Sequence, residues 1–152
     1  MTTLRVDLYG VPIGHLDGEA DRFDFTASPS GIEHFGVNSS ALSLAIPLQH
    51  PAPRNRSGRR RNWFAELLPE GDFRGYLAQL AGLSSFDSMG LLAQYGADVA
   101  GAVQIRPPEQ NHTIEVPELQ VLSDTEIYHY LTEPFRYPLG NATPGGKTSL
   151  AG

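Results

Sequence analysis

Apolar and polar residues alternate with a period of two in several short runs across the first fifty residues. Leu4, Val6 and Leu8 are interleaved with Arg5 and Asp7, the pattern of a strand with one buried face. Tyr9-Gly10-Val11-Pro12 supplies a turn, and Ile13 to Leu16 can return as a second strand. Asp17-Gly18 is a tight-turn dipeptide, after which Phe23 and Phe25 alternate with Arg22, Asp24 and Thr26 as a third strand. Ser28 to Ser40 reads as loop, and Leu42, Leu44 and Ile46 form a fourth alternating run stopped by Pro47.

The period then changes. Trp63, Phe64, Leu67 and Leu68 fall at the spacing of a helical face, and Phe73, Tyr76, Leu77 and Leu80 repeat it after Pro69. Pro69 disfavours helical geometry at Leu68 and suits the opening turn of the second helix. Asp72 is the expected N-cap of that second helix and Gly82 its left-handed stop. Ser85 is the expected cap of a third helix from Phe86 to Tyr95, closed by Gly96. Residues 101–106, ended by Pro107-Pro108, read as a strand. Strands first and helices afterwards predict an α+β fold: a small antiparallel sheet, open or barrel-like, joined by the 101–106 strand and covered by two or three helices. A charge placed between the layers, as in Leu67→Asp, should break that assembly.

The signal thins beyond Pro107. Pro117 to Leu119 can be extended, and Ser123 and Asp124 can cap a short helix carrying Ile127, Tyr128 and Leu131, ended before Pro134. Three segments are therefore expected: an α+β domain over 1–108, a peripheral extension with a short helix over 109–136, and a Gly/Pro-rich linker over 137–152 that opens into something further. No internal repeat or heptad pattern is present.

A chain of 152 residues fits one domain with a core of its own. The absence of cysteine excludes a disulfide framework and a thiolate metal site, and fits a reducing cytosol. No N-terminal apolar signal or membrane-length apolar run occurs, so a membrane partner is not expected. Net charge is −6, yet five of the eleven basic residues, Arg54, Arg56, Arg59, Arg60 and Arg61, lie within eight positions. Such a basic loop on an acidic body has three readings: a site for phosphate backbones, a site for an acidic protein partner, or a solvated charge run. Trp63 beside it could stack on a base, although its helical spacing assigns it to the core.

Other constellations fail on spacing. A Walker A loop ending in Gly146-Lys147-Thr148 needs glycine at position 141, where Asn141 stands; Gly140 is one residue too far. The histidines, His15, His34, His50, His112 and His129, show no metal-ligand spacing, and no metal site is expected. No G-x-S-x-G elbow supports a hydrolase. Glu66 and Glu70 flank Pro69 and read as solvent-side residues.

The motifs F-A-E-L-L-P-E-G-x-x-R-x-x-L-A (from Phe64) and G-L-L-A-Q-Y-G-A-D-V-A-G-A-V (from Gly90) resemble the N-terminal subdomain of HipA-type serine/threonine kinase toxins. The opening L-x-V-x-L-Y-G, the segment A-L-S-L-A-I-P-L and the final S-L-A-G resemble that family in the same order. Within the family, the segment resembling Ser149-Leu150-Ala151-Gly152 opens the nucleotide phosphate loop, and the serine matching Ser149 is the autophosphorylation site. Ser149, Ala151 and Gly152 are thus the nucleotide-loop residues that the resemblance implies. A phosphoryl group on such a serine adds nearly two negative charges.

The resemblance implies a domain that packs on a kinase core and contacts a helix-turn-helix antitoxin, reaching DNA only through that antitoxin. The whole protein would be a cytoplasmic ATP- and Mg-dependent kinase acting on a target such as an aminoacyl-tRNA synthetase. This chain is not expected to transfer phosphate alone. A kinase needs a base, metal-binding acids and a lysine on the phosphates, and Lys147 is the only lysine here. Two alternatives stay open from the sequence: a stand-alone regulatory subunit that restrains a separately encoded kinase core, and a nucleic-acid module using the arginines, which the acidic body disfavours.

Overall fold

The computed structural model describes residues 1–99, 101–109 and 121–133. Three consecutive strands, β1 (Thr2–Leu8), β2 (Val11–Glu19) and β3 (Arg22–Ala27), form antiparallel hairpins, and β4 (Val103–Arg106) returns beside β1. The order is β3-β2-β1-β4, an open sheet with β3 and β4 at its edges rather than a barrel. Among the described residues five helices accompany it: α1 (Pro29–Phe35), α2 (Ser57–Ala65), α3 (Gly71–Ala81), α4 (Ser88–Tyr95) and α5 (Asp124–Thr132), with 3-10 turns at Arg54–Arg56 and Gly96–Asp98. The α+β class therefore holds, and the barrel-like option does not.

The alternation in β1 and β3 places Leu4, Val6, Leu8, Phe23 and Phe25 on one buried face, against which Phe64, Leu68 and Leu92 pack. The Phe25 and Phe64 rings meet at 5.2 Å. At the first hairpin Tyr9 and Gly10 both adopt positive φ, the geometry that matches the twist of a two-residue turn. The second hairpin differs from expectation. Asp17-Gly18 lies inside β2, and the turn is Ala20-Asp21. Gly18 serves close approach instead: a Cβ there would stand 2.1 Å from the Arg22 carbonyl oxygen.

Several helix boundaries also move. The expected loop 28–40 contains α1, started by Ser28, whose hydroxyl accepts from the Gly31 N–H, with Pro29 in the first turn. The expected fourth strand is a turn: the Ser43 hydroxyl accepts from the Ala45 N–H and its carbonyl from the Ile46 N–H. Leu42 and Ile46 enter the core, while Leu44 is 91% exposed. α2 begins at Ser57, within the arginine segment, and ends before Leu67 and Leu68. α3 is preceded by Glu70 rather than capped by Asp72, which sits in its first turn; Gly82 ends it in the left-handed conformation, as predicted. Asp87, not Ser85, caps α4. Gly96 follows α4 with helical φ, and its missing side chain admits Ile105 of β4, whose carbonyl oxygen would lie 2.8 Å from a Cβ.

Ser123 caps α5 through a capping box with Glu126. The 101–106 strand is shortened to Val103–Arg106. Pro117 to Leu119 and the 137–152 linker lie outside the described residues.

Candidate functional site

The basic segment is helical where a loop was expected. Arg54 and Arg56 lie in a 3-10 turn that runs directly into α2, which carries Arg59, Arg60 and Arg61. Arginine is a good helix former, and this propensity together with the burial of Phe64 carries α2 through the arginines despite the unfavourable placement of cations near a helix N-terminus. Arg54, Arg56 and Arg59 are exposed, and Arg61 lies along the helix with its guanidinium on the Asn62 side-chain oxygen at 3.2 and 3.0 Å.

Arg60 does not belong with them. It is 5% exposed, and its Nε and Nη2 donate to the two carboxylate oxygens of Asp24 at 2.6 Å each, while Nη1 donates to the Pro53 carbonyl at 2.9 Å. Asp24 Oδ1 also accepts from the Phe25 N–H at 2.8 Å. One carboxylate thus satisfies a backbone donor of edge strand β3 and fixes α2 to that edge through a bidentate fork. Arg54, Arg56 and Arg59 remain exposed to a partner, with Arg61 half-buried beside them. Trp63 packs against the core, edge-on to Phe64 at 4.9 Å, which removes it as an open stacking platform.

The sheet face opposite the core carries polar pairs that the alternation could not assign. Asp7 reads as a solvent-side strand residue, yet is 1% exposed. Arg5 approaches it at 3.1 Å and Arg106 at 3.9 Å, because β1 places Arg5 opposite Arg106 of β4. Strand pairing creates this cluster, and the distance from residue 7 to residue 106 hides it in sequence. Beside it, Asp17 accepts from the Thr3 hydroxyl at 2.6 Å and meets His15 Nε2 at 2.9 Å. Thr3, Arg5, His15 and Asp17 line a shallow depression of about 410 Å³. Thr3 and His15 meet Asp17 while Arg5 faces Asp7, and these groups form no nucleophile–base arrangement of the kind acyl or phosphoryl transfer needs.

Glu66 and Glu70 are exposed, as their spacing indicated. Ser149, Ala151, Gly152, Lys147 and the Gly140–Thr148 segment lie outside the described residues. Among the described residues no group of three or more His, Cys, Asp or Glu could hold a metal ion, and no helix is long and apolar enough to cross a membrane. Among the described residues three titrating groups are displaced: burial raises Tyr95, whose hydroxyl donates to the Leu77 carbonyl at 3.0 Å, the Ser123 N–H holds Glu126 below the usual carboxylate range, and the N-terminal ammonium lowers Glu19. α5 was foreseen, but not how little of it is covered: Ile127, Tyr128 and Leu131 are 42%, 64% and 74% exposed.

Comparison with known proteins places this arrangement. Residues 4–106 match the family described as the HipA N-terminal domain. The chain is 35% identical over 112 residues to Y4dM of Sinorhizobium fredii, a protein whose name marks it as a candidate kinase; the match covers 72% of this chain and 27% of that protein. It is 25% identical over 153 residues to the serine/threonine-protein kinase toxin HipA of Shewanella oneidensis, covering 99% of this chain and 33% of the toxin. A solved complex of the Shewanella HipA and HipB toxin–antitoxin system with its operator DNA contains a similar chain, with a TM-score of 0.65 and 26% identity over 89% of this chain and 30% of that one. The chain therefore spans no more than about a third of these relatives. The match over 4–106 takes in the whole sheet from Leu4 onward and helices α1 to α4, and the chain belongs to the HipA N-terminal domain family.

Proposed function

We propose that this chain is the N-terminal interaction subdomain of a HipA-like serine/threonine kinase toxin, packing on a kinase core and contacting a helix-turn-helix antitoxin. The observation that carries the reading is the family match over 4–106, joined to the likeness over 89% of the chain to a component of a HipA–HipB–operator complex. The chemistry of the described residues agrees with a binding role. Arg60–Asp24 and Thr3–Asp17 are internal pairs, and the exposed cations Arg54, Arg56 and Arg59 stand together on one segment. That segment suits an acidic protein surface. DNA is reached through the antitoxin, because a body of net charge −6 repels phosphate beyond the arginines.

In this reading the chain does not transfer phosphate by itself. Ser149, with Ala151 and Gly152, opens a nucleotide loop that the kinase part completes, and ATP and Mg are bound there. Co-expression with a HipA-like kinase core lacking its own N-terminal part tests the proposal. Co-purification as a stoichiometric complex is expected. A chain that purifies alone from cells making both the core and the antitoxin would overturn it.

A further inference from the structure

β1 and β2 set four side chains on the outer sheet face as two cross-strand pairs, Arg5 opposite His15 and Thr3 opposite Asp17. All four line the depression of about 410 Å³, to which Pro12 and Pro108 add apolar wall. That volume lies within the range of small-molecule sites, about 300–1,000 Å³. Charge is spread unevenly across it. Arg5 stands at one side and Asp17, its diagonal neighbour, at the other, and such diagonals span about 7–8 Å in an antiparallel pair.

Arg60 shows how this fold holds a structural arginine: a fork onto one carboxylate with two bonds of 2.6 Å. Arg5 is held differently. Its Nε lies 3.1 Å from Asp7 Oδ1, yet it is buried without a hydrogen bond. Asp7 also has Arg106 at 3.9 Å, so one carboxylate faces two guanidinium groups. The terminal nitrogens of Arg5 are left for an acceptor from outside. On the other side, Asp17 accepts from Thr3 through Oδ1 and meets His15 Nε2 through Oδ2. These contacts fix the carboxylate at the rim, and its about four lone-pair sites leave room for a further donor. Arg5 and Asp17 are 26% and 30% exposed, so a ligand reaches both.

We propose that this depression binds a small zwitterion, an α-amino acid with an apolar side chain, its carboxylate on Arg5 and its ammonium on Asp17. Two charge-assisted bonds of about 2.8 Å, one at each end of the short carboxylate–ammonium spacing, fit the diagonal between the two residues. The side chain rests against Pro12 and Pro108. A simple anion would face Asp7 and Asp17, and a simple cation Arg5 and Arg106. A molecule carrying both charges in this order meets neither penalty. The inference does not rest on the partners proposed above.

The test titrates the intact, isotope-labelled 152-residue chain with alanine, leucine, acetate and methylamine, following amide and arginine Nε–H shifts by NMR. Saturable shifts confined to residues 3–5 and 12–17 are expected with the two amino acids. Their affinity should exceed that of acetate and of methylamine at least about tenfold, because each fragment makes one of the two charged bonds. Asp17→Asn, which keeps the side-chain shape, should remove the preference for alanine over acetate. Arg5→Lys, which keeps the charge and loses the fork, should weaken both. Unchanged amide shifts elsewhere check the fold of each variant, and the wild-type comparison decides the matter if a variant fails to fold. Equal affinity for alanine and acetate, shifts confined to other residues, or no shift at millimolar amino acid would overturn the proposal.

Discussion

Removing the Asp24 carboxylate should damage the fold more than removing any solvent-facing arginine of the basic segment. The Arg60 side chain is 6% exposed and its partner 41%, so the two ends of the pair differ in what solvent can repair. In Asp24→Ala the guanidinium stays buried with only the Pro53 carbonyl, and the Phe25 N–H at the sheet edge loses its acceptor. Breaking a fully buried pair costs about 3–5 kcal/mol, while exposed pairs contribute about 0–1 kcal/mol. The half-wet carboxylate places this pair between those limits, at about 2–3 kcal/mol. Arg60→Ala leaves a carboxylate that water can reach but also removes the buried stem, so it should cost about the same. Urea denaturation followed by the fluorescence of Trp63, the only tryptophan, reports on α2 directly. With a slope of about 1–3 kcal/mol per molar urea, the midpoint should fall by about 0.7–3 M. The double change Arg60→Met/Asp24→Ala should cost less than the sum of the single changes, since neither charge is then stranded. An Asp24→Ala midpoint indistinguishable from that of Arg59→Ala would refute the reasoning.

Four further outcomes are expected. Replacing Arg54, Arg56 and Arg59 with Gln should leave stability within about 0.5 kcal/mol and weaken partner binding with a flatter salt dependence; a melting shift of many degrees would make these residues structural. Gly96→Ala should cost about 1–3 kcal/mol because its Cβ meets the Ile105 carbonyl, and an unchanged melting temperature would show that α4 and β4 can part freely. The lowered Glu126 carboxyl makes the α5 cap fully effective above its ordinary titration range and progressively lost as pH falls through its lower folded value. Proton-detected amide shifts of residues 123–127 should move in that acidic window, and Glu126→Gln should abolish the transition. Incubation of the isolated chain with labelled ATP and Mg²⁺ should give no turnover; stoichiometric label on Ser149 without added kinase would contradict a non-catalytic domain.

What could be read from the chain depended on whether its cause was local. The β1 and β3 alternation, the Tyr9-Gly10 turn, the Gly82 stop and the Ser123 cap each rest on neighbours a few residues apart, and the sequence carries them openly. The partner of Arg60 is 36 residues away on an edge strand, and Asp7 meets Arg106 only because β4 returns beside β1. No periodicity encodes either pairing, so five arginines looked like one surface. Gly18 and Leu44 show a different limit. A turn dipeptide and an alternating run were present, but tertiary packing used the glycine for strand approach and turned the run back on itself. The nucleotide-loop residues expected at Ser149, Ala151 and Gly152 rest on resemblance alone.

The central claim, that the chain is a protein-binding subdomain of a HipA-like kinase toxin, is tested most directly by calorimetry at near-physiological salt. The purified chain would be titrated separately with a HipA-like kinase core lacking its own N-terminal part, with a helix-turn-helix antitoxin, and with operator DNA. Saturable binding to the kinase core, the antitoxin or both is predicted, with no comparable heat from DNA. Tight DNA binding with neither protein bound would contradict it.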